Sequence, residues 1–197
     1  VGMGFLVILF NNQIMRYLGS DELAVYGVAS NLFMLVQTFS YGIGNAAQPI
    51  VAENLGAGQL DRVAETRKWG CAAAGVIGMG AMAVSLLFPI EIVNLFMKAS
   101  GEVLAIAPGI LRKYFLCLVF VPFNVFAAYY LQAVRQVKRS TAVSVTRGFL
   151  LSGFFIYAFP FLFGAGSIWF VMVSAEGAAA VLAVFLLKKK IIPKRHF

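Results

Sequence analysis

Residues 23–52 read LAVYGVASNLFMLVQTFSYGIGNAAQPIVA and contain no Asp, Glu, Lys or Arg. The hydrocarbon core of a bilayer, about 30 Å thick, is crossed by roughly 20 residues of α-helix at about 1.5 Å per residue. The stretch therefore predicts a transmembrane helix, because in lipid the backbone groups must be hydrogen-bonded within the segment itself. Other charge-free runs lie at 69–90, 114–134 and 148–175, and shorter ones lie at 1–15 and 177–187.

The overall composition agrees with several such helices. Hydrophobic residues make up 61% of the 197 positions and charged residues 12%, against about 45–50% and about 25% in soluble domains. Charged residues, glycines and prolines between the apolar runs mark the breaks. We predict an all-α integral membrane protein, a bundle of six transmembrane helices. Its spans are expected near 1–18, 22–53, 61–90, 104–134, 141–162 and 167–187, followed by a basic tail at 188–197.

The 16 Lys and Arg residues are divided unequally between the two ends of the predicted spans. One side is assigned Arg62, Arg67, Lys68, Arg135, Lys138, Arg139, Arg147, Lys188, Lys189, Lys190, Lys194 and Arg195, and the other Arg16, Lys98, Arg112 and Lys113. Because cytoplasmic loops carry the excess of Lys and Arg, we predict that both ends of the chain are cytoplasmic. Binding of the tail to anionic lipid, at about 1 kcal/mol per basic residue, is the alternative reading of its charge.

The first predicted span is short. Residues 1–15 would form about 22 Å of helix at about 1.5 Å per residue, which is less than the hydrocarbon thickness. The chain also begins with Val1 rather than Met. We therefore expect it to begin inside a helix and to be part of a longer protein, with a short dimerising form as the alternative.

Small residues predict where helices meet and turn. Gly70, Ala74 and Gly78 recur at every fourth position of the third span, a spacing that favours close packing against another helix. Gly56 and Gly58 are expected to let the chain leave the second span in a left-handed conformation.

A longer motif lies at the end of the second span. Residues 41–58 read YGIGNAAQPIVAENLGAG and are followed by Asp61-Arg62-Val63. This closely resembles the Gln-Pro-Ile, Asn-x-Gly-Ala-Gly, Arg-Val signature in the C-terminal half of multidrug and toxic compound extrusion (MATE) transporters. The resemblance continues through Tyr129-Tyr130-Leu131-Gln132 and residues 166–176, so it covers essentially the whole chain.

The resemblance implies a twelve-helix transporter built from two six-helix halves around a central cavity, of which this chain would supply helices seven to twelve. It implies secondary active efflux of drugs or organic cations in exchange for sodium or protons, with no further cofactor. The implied partners are the lipid bilayer, the N-terminal six-helix half and a small cationic or amphipathic substrate, with no nucleic acid. The implied location is the cell membrane.

Glu176 is the one carboxyl near the middle of a predicted span, nine residues after Ser167 and eleven before Leu187. A charge at the bilayer centre costs at least about 2.5–3.5 kcal/mol on insertion scales, so such a residue is a functional candidate. In the functional reading, Glu176 titrates or contacts a cation during transport. In the structural reading, it is a protonated carboxyl that hydrogen-bonds a neighbour.

The other candidates for a substrate or ion pathway are uncharged polar side chains inside the predicted spans. They are Asn11, Asn12, Gln37, Asn45, Gln48, Asn124, Tyr129 and Gln132. Amides and carbonyls freed by Pro49 and Pro122 can coordinate a cation or bind substrate, but amides cannot accept a proton at physiological pH. Aromatic faces attract organic cations, although Tyr129 also fits an interfacial aromatic belt.

Some MATE transporters place ion-coupling carboxylates on the first and fourth helices of this half, and here those spans offer amides instead. We therefore expect the main coupling carboxylate in the N-terminal half. A membrane-embedded enzyme would need clustered nucleophiles, carboxylates or histidines, which the sequence lacks, so no enzymatic activity is predicted. A flippase for lipid-linked oligosaccharides, of the same wider superfamily, and a non-transporting membrane subunit are the alternatives.

Overall fold

The computed structural model describes residues 2–188, so the tail beyond Lys188 lies outside the described residues. Within 2–188 the chain forms α-helices joined by short turns, with no strand. The helices are α1 (Gly2–Tyr17), α2 (Ser20–Gly56), α3 (Leu60–Leu87), α4 (Pro89–Phe96), α5 (Gly101–Tyr114), α6 (Val121–Ala133), α7 (Val137–Val145), α8 (Leu151–Phe163) and α9 (Val171–Lys188).

Several of these helices join into longer membrane-length segments. A 3₁₀ turn at Phe115–Val119 links α5 to α6, a π turn at Thr146–Leu150 links α7 to α8, and a 3₁₀ turn at Ala165–Phe170 precedes α9. Together with α2 and α3 they give five segments long and apolar enough to cross a membrane, and α1 adds a shorter helix of 16 residues. The chain is therefore an all-α, multi-pass membrane protein.

The end of the third span differs from the prediction of 61–90. Helix α3 ends at Leu87, and Phe88 leaves the helical region at φ −123° and ψ 49°. The residue before a proline is disfavoured in the helical region, and a proline fits well at the first position of a new helix. Pro89 accordingly begins the separate helix α4. The apolar run hid this break because Phe88 and Pro89 carry no charge.

The turn after α2 has the predicted left-handed residue at one of two expected positions. Gly58 has φ +73°, and the N–H of Gln59 donates to the carbonyl of Asn54 at 2.8 Å, which closes the helix end. Gly56 is the last residue of α2, so the expectation of a left-handed Gly56 was wrong. Helix α2 continues through Pro49.

Helix α2 and the α5–α6 segment lie at the centre of the bundle. Over their most apolar stretches 44% of the residues of these two segments are buried, against 17% in α3 and in the α7–α8 segment, which therefore expose most of their residues at the surface of the bundle. The predicted seam on α3 is confirmed, because Gly70, Ala74 and Gly78 are all buried. Gly70 faces the ring of Phe126, and Gly78 faces the 3₁₀ turn between α5 and α6.

Candidate functional site

The π turn between α7 and α8 adds one residue to the helical turn at Thr146–Leu150. The N–H of Leu151 donates to the carbonyl of Thr146, five residues earlier, and the Ser152 hydroxyl donates to the carbonyl of Arg147 at 2.7 Å. Such π turns are rare in proteins, and those that do occur are often found at functional sites. This one carries Arg147, whose side chain turns into the bundle and is 12% exposed.

Arg147 forms a buried ion pair with Glu176 of α9. Its Nη2 donates to Glu176 Oε1 at 2.8 Å, and its Nε lies 3.1 Å from Oε1 and 3.2 Å from Oε2. The carboxylate is 2% exposed. A guanidinium that meets both oxygens of a carboxylate forms the strongest class of charge-assisted hydrogen bond in proteins. Both charges are therefore satisfied by each other inside the bundle.

Asn124 of α6 completes the cluster. Its Nδ2 donates to Glu176 Oε2 at 2.7 Å and to the backbone carbonyl of Glu176 at 2.9 Å. Its Oδ1 is buried and has no hydrogen-bond partner among the described residues. The structure thus brings together two predicted site residues, Glu176 and Asn124, and leaves one buried oxygen beside them.

The cluster lies near the middle of its helices. Arg147 is ten residues from the start of α7 at Val137, or about 15 Å of helix, and Glu176 is twelve residues from Lys188, or about 18 Å. The assignment of Arg147 to the basic group at the cytoplasmic ends was therefore wrong. Glu176 also has a charged partner, Arg147, which neither reading of this carboxyl from the sequence included.

Two cavities meet this cluster. The smaller, of about 70 Å³, has an aromatic wall in which Phe10 stacks on Tyr26 at 5.1 Å between ring centroids and Tyr114 meets both rings edge-on. Arg147 and Glu176 form part of the same wall. A buried ion pair thus borders a largely apolar space.

The larger cavity, of about 310 Å³, contains two further predicted residues, Gln37 and Tyr129. Gln37 donates through its amide nitrogen to the hydroxyl of Tyr41, and the rings of Tyr41 and Tyr129 lie 6.0 Å apart at 40°. Arg147 lines this cavity as well as the smaller one. The guanidinium therefore stands between the two spaces.

The position of Tyr129 depends on the glycine-rich motif. A Cβ atom added to Gly44 would lie 2.5 Å from Cγ of Tyr129, so only glycine leaves room for this ring. The motif residue thus shapes the cavity wall by its lack of a side chain.

The remaining predicted residues lie away from the two cavities. Gln48 and Gln132 face each other, with Gln48 Nε2 donating to Gln132 Oε1 at 3.4 Å. Asn45 and Asn12 are exposed, and Asn11 is half-buried. None of these five lines either cavity.

Sequence reasoning missed Arg147 as a site residue. The signal that could have found it is its place as the seventh residue of the predicted span 141–162, too far from a helix end to be a loop residue.

The family follows from comparison with known proteins. The sequence profile of the MatE family matches residues 2–158. The chain belongs to the MatE family. A search of curated proteins finds no match.

Solved structures of MATE transporters share the MatE fold seen here. An outward-facing multidrug resistance MATE transporter of the MOP superfamily matches with a TM-score of 0.87 at 19% identity over 96% of this chain. An inward-facing form matches at 0.86 and 18% identity, again over 96%. A MOP superfamily transporter from Pyrococcus furiosus, described as having a binding pocket of reverse polarity that suggests a different function, matches at 0.86 and 19% identity over 96%.

This MatE chain spans 43% to 44% of the length of these three structures. That share is consistent with one six-helix half of a twelve-helix transporter. The predicted family and fold class are thereby confirmed.

Proposed function

We propose that this chain is the C-terminal lobe of a secondary transporter that exports drugs or organic cations in exchange for sodium or protons. The observation that carries the proposal is the Arg147–Glu176–Asn124 cluster, a buried polar centre beside two cavities in a bundle of the MatE fold. Ionisable residues at this depth mark substrate or ion pathways in membrane proteins.

Alternating access fits the structural matches. The chain matches the outward-facing and the inward-facing transporter almost equally, with TM-scores of 0.87 and 0.86. A lobe that fits both states equally well supports a mechanism in which two rigid lobes rock about a central cavity. No covalent chemistry is required of the chain.

The side chains that line the larger cavity are suited to binding a cationic, aromatic substrate. Tyr41 and Tyr129 present ring faces, which attract organic cations, and Gln37 supplies an amide that can fix orientation. Since Arg147 is neutralised by Glu176, the wall carries no net charge from this pair. Recognition in this lobe would therefore depend on aromatic faces and shape.

The coupling carboxylate is proposed to lie outside this chain, in an N-terminal lobe. Glu176 is already occupied by Arg147. The other seven carboxyls of the sequence lie within two turns of a helix end: Asp21, Glu22, Glu53, Asp61, Glu65, Glu91 and Glu102. Neutralising membrane carboxylates elsewhere in the intact gene product should therefore abolish coupling.

We further propose that the protein lies in the cell membrane with both ends of this chain cytoplasmic. Moving Arg147 into the bundle leaves eleven basic residues on the predicted cytoplasmic side and four on the other. The excess that sets orientation is therefore retained.

Transport by the intact gene product reconstituted in liposomes tests the proposal. A fluorescent organic cation is loaded, and a sodium gradient and a pH gradient are imposed separately, with empty liposomes as the control. We expect one gradient to drive movement of the cation against its own gradient. Equal leakage from protein-containing and empty liposomes under both gradients would refute the transporter assignment.

A flippase for lipid-linked anionic headgroups is the second candidate, and one observation favours it. Arg147 lines the larger cavity and could pair with a phosphate if Glu176 released it. Flipping of a labelled lipid pyrophosphate in the same liposomes, without movement of the organic cation, would favour the flippase over the drug exporter.

A further inference from the structure

We infer that Arg147 is a built-in cation, which occupies the place at Glu176 that a free monovalent cation would otherwise take. Binding of a cation at Glu176 does not depend on the proposed function; only a role for that cation as the coupling ion rests on it. The native lobe binds no free cation at Glu176, and removal of the guanidinium creates a sodium site there.

The carboxylate of Glu176 is saturated in the structure. Four nitrogen–oxygen contacts of 2.7 to 3.2 Å reach its two oxygens, three from Arg147 and one from Asn124. With only 2% of the side chain exposed, water makes little contribution. A sodium ion would have to displace the guanidinium to reach either oxygen.

The groups left behind would suit a hard monovalent cation. Oxygen ligands from carboxylates, amides and water are those that hard cations prefer. Removal of the guanidinium leaves the Glu176 carboxylate beside the unpartnered Oδ1 of Asn124. The adjoining cavity of about 70 Å³ would supply room for the ion and its remaining water.

Charge balance gives the driving force. An ionised carboxylate that is buried without a partner is strongly unfavourable, so a protein that lacks the Arg147 guanidinium must take up a proton or a cation at Glu176. A lysine at the same position would keep a tethered positive charge, although it would lose the two-point contact of the guanidinium. Lysine therefore separates the effect of charge from the effect of shape.

Sodium-dependent stability of the purified intact protein tests the inference. Thermal unfolding is followed in detergent with increasing NaCl, with choline chloride at equal ionic strength as the control. We expect Arg147→Ala to gain a saturable rise in Tm with sodium beyond any shown by the native protein. We expect Arg147→Lys to gain none, and Arg147→Ala/Glu176→Gln to lose the gain. An Arg147→Ala protein with no additional response to sodium would overturn the inference.

A second measurement keeps the test valid if Arg147→Ala fails to fold. Binding of radioactive sodium is compared between the native protein and Glu176→Gln, with Arg147 present in both. We expect equal stoichiometry, because Glu176 holds no free ion in the native state. Loss of one sodium per protein in Glu176→Gln would refute the built-in cation. Neither measurement requires transport, so failure of the liposome assay would leave this result standing.

Discussion

Gly78→Ala should destabilise the bundle, whereas Gly80→Ala on the same helix should not. A Cβ atom at Gly78 would lie 2.9 Å from the carbonyl oxygen of Leu118, and 3.0 Å and 3.2 Å from the oxygen and Cα of Val119. These are backbone atoms, so a side-chain rotation cannot relieve the overlap. At Gly80 an added Cβ atom meets nothing within 4 Å.

Two opposing effects set the difference in the free energy of unfolding between the two variants. Replacing glycine by alanine within a helix is worth roughly 0.5–1 kcal/mol in favour of folding, and both variants receive this gain. Overpacking a filled site costs about 1–3 kcal/mol, and only Gly78→Ala overpacks its site. We therefore expect the free energy of unfolding of Gly78→Ala to be about 1–3 kcal/mol lower than that of Gly80→Ala.

Equilibrium unfolding of the purified protein in mixed micelles, followed by tryptophan fluorescence, measures the difference. The comparison between two alanines on one helix cancels the shared gain in helix propensity. Equal stability of the two variants would show that α3 does not pack against the 3₁₀ turn of the α5–α6 segment as the structure has it.

Three further predictions concern the site and the topology. Glu176→Gln should lower the free energy of unfolding by about 3–5 kcal/mol because it leaves a buried guanidinium unpaired, and Arg147→Met/Glu176→Gln should recover most of this loss in the same micelle assay. Tyr129→Ala should weaken binding of an aromatic cation about 2- to 30-fold in a fluorescence titration, the range that corresponds to about 0.5–2 kcal/mol of cation–π attraction. Tyr129→Phe keeps the ring and should bind normally. Equal losses in both variants would implicate the hydroxyl instead. A single cysteine at Gly166 in a cysteine-free protein should react with an impermeant maleimide on intact cells, and protection until the cells are permeabilised would reverse the proposed orientation.

The helical spans could be predicted because their signal is local. A charge-free run of sufficient length specifies a membrane helix whatever its neighbours do. The seam of Gly70, Ala74 and Gly78 was also predictable, because a four-residue spacing puts small side chains on one helical face. Helix α4 was not predictable by these rules, since the break at Phe88 and Pro89 is conformational and leaves the hydropathy unchanged.

The ion pair could not be predicted from local pattern. Arg147 follows a basic turn, and charge counting assigned it to the same side of the membrane. Whether it reaches the interface or turns inward depends on the extra residue of the π turn and on a partner 29 positions away. Glu176 was visible as a candidate because its own span contains no other charge, but its partner is set by the packing of the π turn at Thr146–Leu150 against α9.

The pair also constrains what this lobe can contribute to transport. Replacing a buried ion pair by well-packed apolar residues is often neutral or stabilising, so stability alone is a weak reason for Arg147 and Glu176 to be charged. Because each charge neutralises the other, the pair gives the cavity wall a fixed dipole without net charge. Direct competition between an organic cation and a coupling ion would require a negative charge that both can reach, and this wall offers none while the pair is intact. In the proposed antiport, the competition between substrate and coupling ion must therefore take place on the opposite lobe, with this one supplying aromatic faces and shape.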